Sequence, residues 1–160
     1  MEADVGVDES VDMRYERAYG RFAKDVFRFA LAWTNDWATA EDLTQEAYLR
    51  LWNHRASIDW ERPILGWLLV TTRRLANNRF RSLHPRLTAA GSARQGDESV
   101  SARWLDVRHA LESLTSLERA ALIMTAVEGW SYAEAADVLQ TTEGALRAAV
   151  SRARQKLEVA

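Results

Sequence analysis

Apolar residues recur along this chain every three or four positions, which is the period of an α-helix. The first stripe begins near Met13, and its members are Tyr15, Tyr19, Phe22, Val26, Phe29, Ala30 and Trp33. A second stripe predicts a helix that Thr39 caps and that runs to about Asn53. Pro63 suits the start of a third helix, over residues 64–82. The side chains that this helix would bury are Leu65, Leu68, Leu69, Thr72, Leu75 and Ala76.

The helical period is lost over residues 83–101, which are rich in Ala, Gly and Ser. This stretch is predicted to be a flexible linker between two helical domains. Beyond it, two capping boxes predict helix starts, one formed by Thr115 with Glu118 and the other by Ser131 with Glu134. The predicted fold class is therefore all-α, with two small helical domains.

The last two predicted helices have the pattern of a helix-turn-helix. Gln140-Thr141-Thr142 interrupts the apolar stripe, and Thr142 can cap the second helix. One side of that helix carries Leu146, Val150, Ala153 and Leu157. The other side carries Gly144, Ala148, Ser151 and Gln155, flanked by Arg147, Arg152 and Arg154. Small residues and arginines that face outward suit DNA binding, but two helices of an ordinary bundle would show the same spacing.

Two further helix faces are candidate binding surfaces. The second helix presents Asp42, Gln45, Glu46, Leu49 and Asn53. This is either a partner-binding face or a solvated face with one stray leucine. The third helix presents Arg73, Arg74, Asn77, Asn78, Arg79 and Arg81, next to a loop that contains Trp60. Basic side chains beside an aromatic loop suit single-stranded DNA, although a merely basic helix has the same pattern.

Composition and charge narrow the class of protein. The 160 residues are 48% hydrophobic and 28% charged, which is typical of a globular chain. The absence of cysteine excludes disulfides and thiolate metal sites. No apolar run approaches about 18 residues, so we expect neither a signal peptide nor membrane insertion. The net charge is only −2, yet residues 1–12 contain five acids and no base, which predicts a loose acidic tail.

In this order, the features resemble a sigma factor of bacterial RNA polymerase, of the small extracytoplasmic-function type. The likeness lies in Ala40-Glu-Asp-Leu-Thr-Gln-Glu-Ala-Tyr-Leu-Arg-Leu-Trp52, Trp67-Leu-Leu-Val-Thr-Thr-Arg-Arg-Leu-Ala-Asn-Asn-Arg-Phe-Arg81, Ala110-Leu-Glu-Ser-Leu with Glu118-Arg-Ala-Ala-Leu, Gly129-Trp-Ser-Tyr-Ala-Glu and Ser151-Arg-Ala-Arg-Gln-Lys-Leu157. It implies a region 2 domain over residues 13–82 and a region 4 domain over residues 102–160. The tail 1–12 and the linker 83–101 would complete the chain.

The resemblance also implies roles for the candidate residues. The clamp coiled coil of the polymerase largest subunit would be bound by Asp42, Gln45, Glu46, Leu49 and Asn53. A base flipped out of the −10 element would lie against Trp60, and the adjacent DNA would be held by Arg73, Arg74, Asn77, Asn78 and Arg81. The −35 element would be contacted by Glu143, Gly144, Arg147, Ala148 and Ser151, with Arg152 and Arg154 on phosphates. An anti-sigma factor would be the usual regulator.

The chain departs from the family's pattern at five positions. The unusual residues are Val70 and Ala149 where a basic residue is common, Arg74 for asparagine, Ala135 for isoleucine and Gln140 for the turn glycine. We therefore expect weaker direct readout of −35 bases and more reliance on DNA shape and phosphates. A left-handed Gln140 would cost about 1 kcal/mol.

The predicted function is a cytoplasmic promoter-specificity subunit that binds core polymerase and promoter DNA, with no catalytic residue, cofactor or metal. His54, His84 and His109 are scattered, without the paired carboxylates or nucleophile of an enzyme. One alternative is a sigma-like decoy that binds an anti-sigma protein without initiating transcription. Another is a plain helix-turn-helix repressor, which would need a dimerisation or ligand domain in place of residues 39–81.

Overall fold

A computed structural model describes residues 10–83 and 109–159, and all regular structure in these two ranges is helical. The first range contains α1 (Val11–Thr34), α2 (Trp37–His54) and α3 (Ile64–Leu83). The second contains α4 (Ser116–Leu122), which continues as a π-helical turn over Ile123–Val127, then α5 (Tyr132–Leu139) and α6 (Glu143–Val159). Residues 109–112 are also helical. The predicted all-α class is confirmed, and no helix in the described ranges is long and apolar enough to cross a bilayer.

The starts of the first two helices differ from the prediction because other side chains cap them. Ser10 Oγ accepts a hydrogen bond from the Met13 backbone N–H at 3.3 Å, so α1 begins at Val11, inside the predicted tail. Thr39 was wrongly predicted to cap α2. The cap is Asp36, whose carboxylate accepts a hydrogen bond from the Thr39 N–H at 2.9 Å. Of the predicted tail, residues 1–9 lie outside the described residues.

The predicted capping boxes in the second half are confirmed. Thr115 with Glu118, and Ser131 with Glu134, each form both reciprocal hydrogen bonds. The turn between α5 and α6 places Gln140 in the left-handed region, with φ 53° and ψ 48°. Residue 83 was predicted to belong to the linker but is the last residue of α3. The remaining residues of the predicted linker, 84–101, lie outside the described ranges.

A continuous apolar core runs through both halves of the molecule. Helix α1 packs against α2 and α3, and α4 packs against α6. In addition, α1 packs against α4 and α3 packs against α5, so the two halves are in direct contact. The core includes Val26, Leu43 and Leu68 from the first half and Met124 and Leu146 from the second. No pattern in the sequence indicated this contact between the halves.

One residue of the predicted α1 stripe is exposed, and two others, Tyr15 and Phe22, are half-buried. Tyr19 is 53% exposed, and its ring lies edge-on against Tyr48 with 4.8 Å between the ring centroids. Tyr48 is buried and its hydroxyl donates a hydrogen bond to the Ala18 carbonyl at 3.3 Å. Tyr19 therefore covers the edge of the α1–α2 interface instead of filling it.

Candidate functional site

The outer face of α2 is available to a partner. Its candidate residues are all exposed: Asp42, Gln45, Glu46, Leu49 and Asn53. Leu49 is 61% exposed and is flanked by polar side chains. The opposite face buries Leu43, Ala47 and Leu51. Helix α2 is therefore anchored by one side and presents an acidic surface with a single apolar side chain on the other.

Two carboxylates of this α2 face already have arginine partners. Asp42 Oδ2 lies 3.2 Å from Nη2 of Arg79 in α3, and Glu46 Oε1 lies 3.2 Å from Nη2 of Arg50. All four side chains are about half exposed, between 42% and 59%. Ion pairs at this level of exposure contribute little to stability. A cationic group of a partner can therefore replace Arg79 or Arg50 at a small cost in free energy.

The basic candidates of α3 divide into an exposed set and a covered set. The exposed set is Arg74, Asn78 and Arg81. In the covered set, Asn77 Oδ1 accepts a hydrogen bond from Trp33 Nε1 at 3.2 Å, and the Arg73 guanidinium lies 6.0 Å from the Trp33 ring centroid. Arg73 Nε is buried and has no hydrogen-bond partner among the described residues. Burial, with the nearby charge of Arg74 as a second cause, lowers the pKa of Arg73.

Trp60 lines a cavity that none of these α3 candidates lines. Its Nε1 donates a hydrogen bond to the Arg55 carbonyl at 2.9 Å, which fixes the indole in the loop between α2 and α3. The cavity has a volume of about 360 Å³, and most of its described lining comes from α1 and the loop. From α3 only Ile64 takes part. The structure therefore does not bring Trp60 together with Arg73, Arg74, Asn77, Asn78 and Arg81.

Helices α5 and α6 form the predicted helix-turn-helix around a closed apolar interior. Leu146, Val150 and Ala153 are buried as predicted. Ala149 is 0% exposed and belongs to the same core. The sequence comparison with the family treated this position as a lost basic contact. In the structure its side chain faces the protein interior, where it contacts no DNA.

The outer face of α6 carries the remaining candidates, all exposed: Glu143, Gly144, Arg147, Ala148, Ser151, Arg152 and Arg154. Two of the arginines have partners in the protein. Arg147 Nη2 lies 3.5 Å from Glu143 Oε2, and its guanidinium is 4.2 Å from the ring centroid of Tyr132 in α5. Arg152 Nε donates a hydrogen bond to Glu118 Oε1 at 3.3 Å. Arg152 is thereby oriented by α4 and is not directed at solvent alone.

Glu118 connects the start of α4 to the last turns of α6. The sequence predicted only its part in the capping box. Its side chain is buried and accepts hydrogen bonds from the Thr115 backbone at 3.0 Å, Lys156 Nζ at 2.8 Å and Arg152 Nε at 3.3 Å. Burial by itself raises the pKa of Glu118, but the hydrogen bonds outweigh it and hold the pKa at about 2. The start of α4 is thus tied to the last turns of α6.

Arg119 joins the two halves of the protein. Its Nε and Nη2 donate hydrogen bonds to the carbonyls of Ala32 and Trp33 in the last turn of α1, the second at 3.0 Å. Its Nη1 donates to the carbonyls of Leu111 at 3.2 Å and Leu114 at 3.1 Å. One buried guanidinium therefore bonds the carbonyls of Ala32 and Trp33, which the end of α1 leaves without helical partners, and two carbonyls of the segment before α4. Of these two, the Leu111 carbonyl also accepts a hydrogen bond from the Leu114 N–H at 3.2 Å. Sequence reasoning missed this role.

Both halves of the chain match known protein families. The family models Sigma-70 region 2 and Sigma-70 region 4 match residues 18–86 and 104–157. The ECF RNA polymerase sigma factor SigL of Mycobacterium tuberculosis is 31% identical over 150 residues, which cover 88% of this chain and 85% of SigL. The ECF RNA polymerase sigma factor SigM of Bacillus subtilis is 27% identical over 154 residues, which cover 91% and 94% of the two chains.

Solved structures share the fold. The sigma factor RpoE from Bartonella quintana, solved in complex with the anti-sigma factor NepR, has a TM-score of 0.72 at 23% identity and covers 90% of this chain and 94% of its own. CnrH, solved with the cytosolic domain of CnrY, has a TM-score of 0.63 at 23% identity and covers 91% and 85%. The sequence matches show that the chain belongs to the extracytoplasmic-function sigma factors of RNA polymerase.

Proposed function

We propose that this sigma factor binds core polymerase through α2, the −10 element through α3 and the loop before it, and the −35 element through α6. The observation that carries the proposal is the α2 face, where five candidate residues are exposed although the opposite side of the helix is completely buried. A helix held this firmly presents its outer surface in a fixed geometry. Such preorganisation reduces the free energy lost on binding.

The chemistry of the α2 face suits the clamp coiled coil of the polymerase largest subunit as its partner. Asp42 and Glu46 would exchange Arg79 and Arg50 for basic groups of the polymerase. Leu49, 61% exposed, would supply the apolar contact at the centre of the interface. Opposite charges would orient the encounter, while burial of the leucine would add to the lifetime of the complex.

On the −10 side, the exposed Arg74, Asn78 and Arg81 would contact the promoter first, because nothing in the described structure covers them. Extrusion of a base costs a few kcal/mol, which phosphate contacts and stacking on Trp60 would offset. Arg73 and Asn77 would join after the cluster around Trp33 rearranges. The unpartnered Arg73 Nε supports this step, because DNA would supply the acceptor that the folded chain lacks.

On the −35 side, α6 would enter the major groove with Glu143, Gly144, Arg147, Ala148 and Ser151 toward the bases. Arg154 would neutralise a phosphate. Arg152 would do so from the position that Glu118 gives it. Because the two halves would bind separated DNA elements, the packing of α1 on α4 and of α3 on α5 has to open when the promoter binds.

Control by an anti-sigma factor belongs to the same proposal. The support is the likeness of fold to RpoE of Bartonella quintana, which was solved with such a partner. A regulator of this class would cover the α2 face and keep it from polymerase. In the decoy alternative the protein would bind partners without starting transcription, and the exposed recognition face of α6 argues against it.

The test is transcription by core polymerase on fragmented genomic DNA from the source organism, with and without the protein. We expect discrete run-off transcripts that core polymerase alone does not produce. Polymerase binding in a pull-down without any new transcript would favour the decoy. No binding and no transcript would overturn the proposed function altogether.

A further inference from the structure

Four of the nine residues in the described lining of the cavity beside Trp60 are arginines. Its volume is about 360 Å³, within the usual range of small-molecule sites. The residues that define this arginine cleft are Arg14, Arg17, Arg21, Phe22, Trp60 and Arg62. The first four come from α1, where a spacing of three and four residues places the arginines on one face of the helix.

Positive charge exceeds negative charge in the cleft. Glu61 is the one acidic residue in its described lining, and its Oε1 lies 3.7 Å from Arg14 Nη1. Arg62 Nε lies 3.4 Å from Oδ2 of Asp59, which stands outside the lining. By composition, the described lining contains four arginines and one glutamate. A concave surface with this excess attracts an anion, and guanidinium groups bind phosphate through paired hydrogen bonds.

The aromatic side chains of the cleft indicate what kind of phosphate compound fits. The indole N–H of Trp60 is already donated to the Arg55 carbonyl, so the tryptophan has its ring face, not a hydrogen-bond donor, to offer a ligand. Phe22 also lines the cleft and has no polar group. Ring faces beside arginines are the combination that binds single-stranded nucleic acid, where bases stack and phosphates are neutralised.

We propose that the arginine cleft binds the backbone phosphates of single-stranded promoter DNA next to the base that stacks on Trp60. This inference rests on the proposed −10 contact of Trp60 and assigns its cationic partners to α1 instead of α3. The two arginine groups are distinct, because Arg73, Arg74 and Arg81 do not line the cleft. The arginines of α1 would thus bind the melted strand next to Trp60, and the arginines of α3 would bind it at a separate point.

The direct test measures binding of a fluorescent oligothymidine to the full chain by anisotropy at low salt. Arg17→Ala with Arg21→Ala should weaken binding about tenfold and reduce the slope of log affinity against log salt by about 1.4, as expected for two phosphate contacts on a single strand. The matched control is Lys24→Ala with Arg28→Ala, which removes the same charge from another exposed part of α1. The control should change affinity less than twofold. Equal losses in the two variants would overturn the proposal.

Two further measurements test whether a loss of binding comes from the cleft itself. One avoids any change to a helix, and the other compares single-stranded with duplex DNA. Arg62→Gln changes a loop side chain that is 85% exposed, so it tests the cleft without altering a helix. It should weaken oligothymidine binding several-fold, and an unchanged affinity would count against the cleft. A duplex of equal length should be insensitive to the cleft substitutions, whereas an equal loss on duplex would contradict a single-strand site. Failure of run-off transcription by the unaltered protein would instead sink the proposed function, whatever the oligothymidine results.

Discussion

At the scale of single residues, two buried charged side chains connect separate elements of this protein. Glu118 accepts hydrogen bonds from Thr115, Lys156 and Arg152, and Arg119 beside it spans the two halves. Neighbouring residues of α4 thus serve different connections, one within the second half and one between the halves. Buried ionic groups of this kind are poor candidates for replacement, because removing one partner strands the other.

The pKa of Glu118 leads to a prediction about acid stability. The folded-state pKa of about 2 is below the usual value of 4.5, so the carboxylate stabilises the fold above pH 4.5. This contribution, about 3 kcal/mol by linkage, should be lost progressively as the pH falls from about 4.5 to about 2. Urea denaturation at pH 6 and pH 3 measures it. Glu118→Gln should unfold more easily at pH 6 and show a smaller pH dependence than the unaltered protein.

The control for this prediction is Glu143→Gln, which changes an exposed carboxylate at the start of α6. Its stability should follow the same pH dependence as the unaltered protein. If Glu118→Gln retained the full pH dependence, the acid sensitivity would belong to other carboxylates and the assignment to Glu118 would be wrong.

At the scale of helices, each element was predictable where its own neighbours along the chain define it. The capping boxes at Ser131 and Thr115 and the left-handed Gln140 involve residues three or four positions apart. The start of α2 differs from the prediction because its cap is Asp36, three residues before the predicted cap Thr39. Trp37 and Ala38 add no clear apolar period, so the sequence pattern predicts a helix start about one turn after the true one.

The α2 face leads to a prediction about polymerase binding. Gln45→Ala with Leu49→Ala should reduce the affinity for core polymerase at least tenfold, because it removes the apolar centre of the proposed interface. Alanine favours helix and both side chains are exposed, so the thermal midpoint should stay within a few degrees. A quantitative pull-down with core polymerase measures the affinity, and circular dichroism measures the thermal midpoint.

A matched variant for the α2 face is Met13→Ala with Glu16→Ala, which also removes one exposed apolar and one exposed polar side chain, from α1. This variant should bind core polymerase normally. Polymerase affinity that is equal for both double variants would show that α2 does not provide the contact.

At the scale of the whole molecule, the described structure is a closed form in which Arg119 locks the second half onto the end of α1. Its partners Ala32 and Trp33 are more than 80 residues away in sequence, at separations of 87 and 86. Trp33 also donates to Asn77, so the same residue connects the contact between the halves to the proposed promoter-melting helix. Trp33 thus contacts Arg119 through its backbone carbonyl and Asn77 through its indole N–H.

The opening of the two halves can be measured by fluorescence transfer, because the chain has no cysteine that would take up dye elsewhere. Dyes on Lys24→Cys and Gln155→Cys report the separation of α1 and α6. The free protein should show one state of high transfer, and Arg119→Ala should shift molecules to low transfer because the carbonyls of Ala32 and Trp33 in α1 lose their bonds to the second half. Assembly with polymerase and promoter DNA should produce the same shift.

The control for the transfer experiment places both dyes in the first half, on Lys24→Cys and Ser82→Cys. Transfer in this pair should not change on opening. High transfer between the halves in a complex that is active in transcription would contradict the opening step. A low-transfer state in the free, unaltered protein would contradict the closed form itself.

The sequence by itself determined the helical class, most helix limits in the second half, the buried stripes and the likeness to sigma factors. These features depend on side-chain periodicity and on hydrogen bonds within about one turn, both of which can be read along the chain. Only the tertiary structure decided that Arg119 reaches α1, that Trp33 holds Asn77 and that Trp60 stands among the arginines of α1. These contacts join residues that are distant in sequence, so they depend on how the helices pack and not on any local pattern.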